Sequence, residues 1–275
     1  MLNSKPLGKL IFLDIETVPQ TKLFTDMSES KQKLFLKRFR KDSEDMIGAP
    51  MDEWDSRAVD KGNYYPLDKI EAFYNARAAL HAEFCKIVCI SIGFFTDAPE
   101  TLKDLKEMKP DRPLGFRTKS FYGADELDLL TRYYTASKSV LDLSSDHKYH
   151  MVAFNGKVFD FPVIAKRMLL NWMALPPYFD VSELKPWEMG HLIDPKENWK
   201  WGVFDGNASL PMLCECFGIP TSKDDIDGSQ VRNVFYEDGD VQRIATYCEK
   251  DVKALAEVYL RLKGIRNEVV MEVKK

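Results

Sequence analysis

The chain has 275 residues, of which 45% are hydrophobic and 30% charged, with 14 Gly and 14 Pro, a composition that excludes a disordered, collagen-like or disulfide-stapled polypeptide. Its longest nearly apolar run, Ile87 to Phe95, contains Ser91 and Gly93 and falls far short of the roughly 20 residues that cross a bilayer. The 39 basic and 43 acidic side chains leave a formal charge of -4, so a polyanionic partner would have to be met by a local cationic surface rather than by the average.

Lys9 to Glu16 (KLIFLDIE) predicts an apolar β-strand that ends in acid. Lys5 and Lys9 precede only four apolar residues before Asp14, too few for a signal peptide, so a cytoplasmic protein is expected. The stretch Lys31 to Lys41 is basic, with Leu34, Phe35 and Phe39 at helical spacing, and the run from Asp42 to Asp60 then turns acidic. This reads as an insertion of helices and loops at about 22–80 within a single domain spanning 1–275; its cations lie either along a nucleic-acid backbone or on a solvated face paired with the acids. Lys86 to Phe95 predicts a second strand, Thr118 to Tyr122 a third, and Asp125 to Ala136 a helix with Leu127, Leu130 and Tyr134 on its apolar face. Tyr149 to Asn155 predicts a fourth strand and Phe161 to Trp172 a helix with Pro162 in its first turn. Pro176 to Asn207 reads as irregular; Ser209 caps a short helix that stops at Gly218. The last helix runs from about Asp240 to Lys263, with Val241, Ile244, Cys248, Val252, Leu255, Tyr259 and Leu262 as its apolar stripe. Interleaved strands and helices with a long closing helix predict an α/β fold.

The five cysteines, Cys85, Cys89, Cys214, Cys216 and Cys248, are odd in number and form no C-x-x-C pair, which predicts reduced, buried thiols in apolar contexts. The four histidines lack a zinc-ligand pattern, so any metal here is expected to be held by oxygen.

Residues two apart in a strand share a face, so Asp14 and Glu16 project together from the end of an apolar strand. Two like charges about 4 Å apart repel by roughly 4 kcal/mol at an effective dielectric near 20, and a divalent cation between them removes that cost. A strand-ending Asp and a solvated Glu would be the ordinary explanation. Asp160 stands between Asn155-Gly156 and the next helix, where it reaches the same sheet edge or caps that helix. Tyr247 and Asp251, four apart, stack on one face of the last helix, as a half-buried Tyr and a solvated Asp also would.

Taken in order, Asp14-Ile15-Glu16, Asn155 with Phe159-Asp160, and Tyr247-x-x-x-Asp251 resemble the three motifs of the DEDD superfamily of 3′-to-5′ exonucleases, in the variant with Tyr in the last motif. The resemblance is closest to the predicted exonucleases related to the proofreading domain of family B DNA polymerases. It extends through Ser209-Leu210, Gly218-Ile219-Pro220, Lys223, Asp227-Gly228-Ser229, Val231 and Tyr247 to Val252, and fails across the insertion. The Trp-rich stretch after His191-Leu192-Ile193-Asp194 departs from the pattern.

The resemblance implies an RNase H-like mixed sheet flanked by helices, and hydrolysis that releases nucleoside 5′-monophosphates with two Mg²⁺ or Mn²⁺ ions. Asp14 would bridge the ions, Glu16 and Asp251 help hold the first, and Asp160 hold the second. Tyr247 would orient the attacking water, and Asp194 takes a supporting position. Thr17, Val18, Asn155 and Phe159 are the expected contacts to the terminal nucleotide, and Lys223, Ser229 and Arg232 the expected phosphate contacts. The expected partner is nucleic acid, single-stranded DNA before RNA, with no membrane. The absence of a polymerase half implies a freestanding nuclease or one recruited by another protein. The alternatives are a nucleic-acid-binding module that kept the fold without catalysis, and an aspartate-nucleophile phosphotransferase, which would want Asp where Glu16 stands.

Overall fold

The computed structural model describes residues 5–39, 67–99, 104, 107, 109, 112–142, 149–185, 187–204, 206–221 and 224–272. In chain order the elements are β1 (Leu10–Pro19), α1 (Glu29–Arg38), α2 (Leu67–Arg77), β2 (Cys85–Phe95), β3 (Leu114–Tyr122), α3 (Glu126–Leu141) and β4 (His150–Val152). They continue with α4 (Asp160–Leu170), β5 (Leu192–Ile193), α5 (Pro195–Lys200), α6 (Leu210–Phe217), α7 (Val241–Leu262) and β6 (Val269–Met271).

Alternation along β1 sets the two faces of the sheet. Leu13 and Ile15 pack with α3 and α4, while Leu10, Phe12 and Val18 pack on the opposite side, against α7. β1 pairs antiparallel with β2, and β2 with β3; β4 lies parallel beside β1, β5 beside β4, and β6 beside β3. The result is a six-stranded mixed sheet in the order β5-β4-β1-β2-β3-β6 with helices on both faces, the arrangement expected of an RNase H-like fold. Among the described residues no helix is long and apolar enough to cross a membrane.

α7 starts where the Asp240 carboxylate accepts the Arg243 N–H at 3.0 Å, and the chain leaves it through Gly264 at φ 76°. The middle of its predicted stripe, Ile244, Cys248, Val252, Leu255 and Tyr259, is buried against the sheet, while Val241 and Leu262 at its ends are half-buried. Phe12 meets Phe95 and Tyr259 edge-to-face at 5.6 Å between ring centroids, contacts worth about 0.5–1.5 kcal/mol each beyond burial. Gly93 allows this close approach: a Cβ there would lie 2.7 Å from Val252 and against the ring of Phe116.

On the other face, Glu126 at the start of α3 is buried with Arg167 of α4. Its carboxylate accepts from Arg167 Nε at 2.9 Å and Nη2 at 2.5 Å, from the Ile87 N–H at 2.7 Å and from Asn171 Nδ2 at 2.9 Å, while Arg167 Nη1 donates to the Ala82 carbonyl at 3.0 Å. The inserted helices α1 and α2 enclose a separate aromatic cluster of Phe24, Phe35, Phe39, Phe73, Tyr74 and Phe84.

Several boundaries differ from the sequence reading. β3 begins at Leu114, since its first residues pair with β6 from the far end of the chain. β4 is only three residues long, because β5 and β1 pair with it only there. α3 continues to Leu141 and buries Leu129, Leu130 and Tyr133, whereas Leu127 is exposed. The stretch read as irregular contains β5 and α5, the latter capped by Asp194. In the basic stretch, Phe35 and Phe39 are buried but Leu34 faces solvent, and the acidic run that follows lies outside the described residues. Cys216 is exposed, since it lies on the outer face of α6.

Candidate active site

The face of β1 under α7 reads Leu10, Phe12, Asp14, Glu16, Val18, so two acids interrupt an otherwise apolar row. The register between β1 and β2 shifts between Glu16 and Thr17, a local irregularity of the kind that re-aims side chains at functional sites. Above this row α7 supplies Tyr247, Cys248 and Asp251. The Tyr247 hydroxyl donates to the Asp251 carboxylate one turn on, as the spacing of four requires. The Cys248 thiol lies 3.3 Å from Asp14 Oδ2 and 3.4 Å from the Asp14 carbonyl oxygen, and ligand atoms of Asp14, Glu16 and Cys248 all lie within 4.8 Å of one another.

Asp160 arrives from the edge of the sheet. β4 pairs with β1 only from Leu10 to Phe12, so further along β1 that edge is open, and the Ile15 N–H donates to the Asp160 carboxylate instead of to a strand. Asp160 is the first residue of α4 rather than its cap, which is Phe159, and it is buried.

The electrostatics follow from this enclosure. Burial pushes the Asp14 carboxyl well above the usual carboxylate range, and the charges of Asp251, Glu16 and Asp160 push it further; the Cys248 thiol opposes them. Burial raises Asp160 to about 7 against the pull of its own N–H and that of Ile15, with Asp194 adding repulsion. Burial likewise raises Tyr247, helped by Asp251 and Glu16, so the phenol stays protonated. The charges acting on Asp14 are three other carboxylates. Buried oxygen donors that repel one another fit a hard divalent cation, which neutralises them together.

The expected substrate contacts divide. Asn155, in the turn that leads to Asp160, takes a left-handed conformation, φ 62°, which Asn tolerates better than most residues. Its N–H goes to Asp194 at 2.9 Å and its Oδ1 accepts Lys196 Nζ at 3.1 Å. Phe159 packs against the core. Thr17 donates to the Ala79 carbonyl at 2.7 Å, which binds β1 to the end of the insertion. The Val18 side chain is fully buried, because it continues the apolar row under α7. Ser229 closes a turn on Asp227, its N–H at 2.8 Å. Arg232 is engaged by Asn75 at 2.8 Å, the Lys22 carbonyl at 2.7 Å and Glu237 at 3.3 Å, so it joins the insertion to the segment before α7. Lys223 lies outside the described residues.

One contact escaped the sequence, and one supporting residue found its partners. Cys248, a reduced thiol of the apolar stripe by its sequence context, touches Asp14; the one available signal is its place three residues before Asp251, on the same side of the helix. From Cys248 a polar chain continues through Cys89 to Ser91 at 3.6 Å, Ser120 at 2.8 Å and Glu249 at 2.6 Å. Asp194 accepts the N–H groups of Asn155, Lys196 and Lys157, so it fixes the turn that carries Asn155 and Asp160.

No curated protein matches the chain. A family model described as a predicted 3′-5′ exonuclease related to the exonuclease domain of PolB matches residues 79–274, which hold Asp160, Tyr247 and Asp251 and begin after the strand that carries Asp14 and Glu16. With well over half of its length matched, the chain belongs to this family of predicted 3′-5′ exonucleases related to the PolB exonuclease domain.

Proposed function

We propose that the chain hydrolyses nucleic acid from its 3′ end and releases nucleoside 5′-monophosphates, with single-stranded DNA as the favoured substrate. One observation carries the reading: ligand atoms of Asp14, Glu16 and Cys248 lie within 4.8 Å of one another, and the charges of Asp251 and Asp160, from two elements distant in sequence, reach the Asp14 carboxyl and raise it. In this reading the four carboxylates hold two divalent ions, Mg²⁺ or Mn²⁺, which when bound stabilise charge on the attacking and leaving oxygens. The protein's own groups do the positioning. The Ile15 N–H holds Asp160, the Cys248 thiol braces Asp14, and Tyr247 is fixed by Asp251. A phenol kept protonated cannot take a proton from water, so Tyr247 orients the nucleophile as a hydrogen-bonding group rather than acting as its base. The relation to a DNA polymerase exonuclease domain favours DNA over RNA.

The test is an assay of the full chain with Mg²⁺ or Mn²⁺ on DNA and RNA oligomers labelled at either end. The expected result is immediate release of the 3′ label as a mononucleotide and a ladder of shortening products from 5′-labelled strands, with DNA consumed faster. Tight binding without shortening would instead make the chain a non-catalytic nucleic-acid-binding module, and covalent phosphate on Asp14 would make it a phosphotransferase.

A further inference from the structure

The segment between α5 and α6 joins two helices that reach toward the residues of the site. Lys196 of α5 donates to Asn155, and Cys214 of α6 lies near enough to Asp251 to feel its charge. Trp199 anchors the segment from inside, edge-to-face on Phe217 at 5.9 Å. The chain then turns outward on a closed base: the Val203 N–H donates to the Lys200 carbonyl at 2.8 Å, and Gly206 packs close against the Lys200 backbone, where an added Cβ would lie at a tight 3.1 Å.

What this turn displays is unusual for a surface. Trp201, Val203 and Phe204 are 88%, 60% and 92% exposed, and Trp201 is held at φ 47°, a left-handed conformation unfavourable for an aromatic residue. Nothing in the fold is gained by burying these side chains, because they are not buried. Isolated exposed apolar residues are common, but three in four positions, on the turn that follows the helix bonded to Asn155, form a patch that calls for a partner.

We propose that Trp201 and Phe204 are a stacking platform for unpaired bases of a single strand whose 3′ end enters the acidic nest. The proposal deepens the exonuclease reading and rests on it. Stacking on aromatic faces is the binding mode of single strands that does not depend on base identity. It also suits this chain's charge: with a net -4 and an acidic site, phosphate attraction is scarce, whereas stacking needs no cationic excess. A duplex offers no free base faces at this position, so the platform selects unpaired ends.

Intrinsic tryptophan fluorescence of the full chain, titrated with a ten-residue oligothymidylate in EDTA so that no shortening occurs, tests this. Quenching is expected, and Trp201→Ala should weaken affinity about tenfold or more and remove most of the quench, in line with one lost stack. The slope of log affinity against log salt should stay unchanged, since no phosphate contact is removed. Trp172, 96% exposed at the opposite end of α4 from Asp160, is the control, and Trp172→Ala should bind as wild type. A Trp201→Ala variant that binds with unchanged affinity, while the wild type shortens oligomers with Mg²⁺, would overturn the platform and leave the exonuclease reading intact. A wild-type chain that neither binds nor shortens any oligomer overturns both. Trp201-dependent binding to phosphatidylcholine vesicles with unchanged oligomer affinity would reassign the patch to a lipid surface and equally overturn the proposal.

Discussion

Two buried charged clusters lie on opposite faces of the same sheet, and they are built on opposite rules. The Glu126–Arg167 pair carries its own counter-charge, and its carboxylate accepts bonds from four nitrogens. It closes α3, α4 and β2 against one another and asks nothing of the surroundings. In the nest under α7, by contrast, the charges acting on Asp14 are all of one sign, and burial raises rather than relieves their cost. A fold keeps such an arrangement when something from outside completes it, which separates a structural ion pair from a site.

Removing a member of each cluster should therefore have opposite consequences. Asp14→Ala or Asp251→Ala should lower nucleotide release by on the order of 10³-fold or more, above the usual cost of one lost transition-state hydrogen-bond donor, while the metal-free protein melts no lower than wild type because a repulsion has gone. Initial rates and thermal melts of the same preparations check both halves; a wild-type rate in the Asp14 variant would end the exonuclease reading. Glu126→Ala should cost about 3–5 kcal/mol of stability, since it strands a buried guanidinium. Urea unfolding measures that loss, and a change under about 1 kcal/mol would mean that water already screens the pair.

pH sharpens the contrast. Asp14 and Asp160 have native pKa values above their unfolded ones, near 4, so the native state holds their protons more tightly. Stability contributed by protonated carboxyls is thus present at low pH and lost as pH rises from about 4 through the Asp160 value of about 7. The metal-free chain should melt lower at pH 8 than at pH 5, and Mg²⁺ or Mn²⁺ should raise the melting temperature more at pH 8, where the acids are charged. An equal rise at both values would show that the ions bind elsewhere. The smallest expected effect is at the brace: Cys248→Ala should weaken Mn²⁺ affinity, measured by calorimetry, about tenfold, and Cys248→Ser, which keeps a donor, should restore most of it. Identical affinity in the alanine variant would reduce the thiol to packing.

Much of this molecule is legible in its residues because the signals are local. The alternation of β1, the cap and stop of α6 at Ser209 and Gly218, and the stripe of α7 each follow from the geometry of a few neighbouring residues. The spacing of two in Asp14-x-Glu16 and of four in Tyr247-x-x-x-Asp251 likewise determined which side chains share a face. Tertiary structure decided the rest. That Asp160 takes the Ile15 N–H depends on β4 ending early, that Cys248 meets Asp14 depends on how closely Gly93 lets α7 approach, and that Val18 is buried and Arg232 bonds to Asn75 depends on what lies across from them. A side chain's direction along its own helix or strand is a property of the chain; the partner it finds there comes from another part of the chain, and no local pattern encodes it.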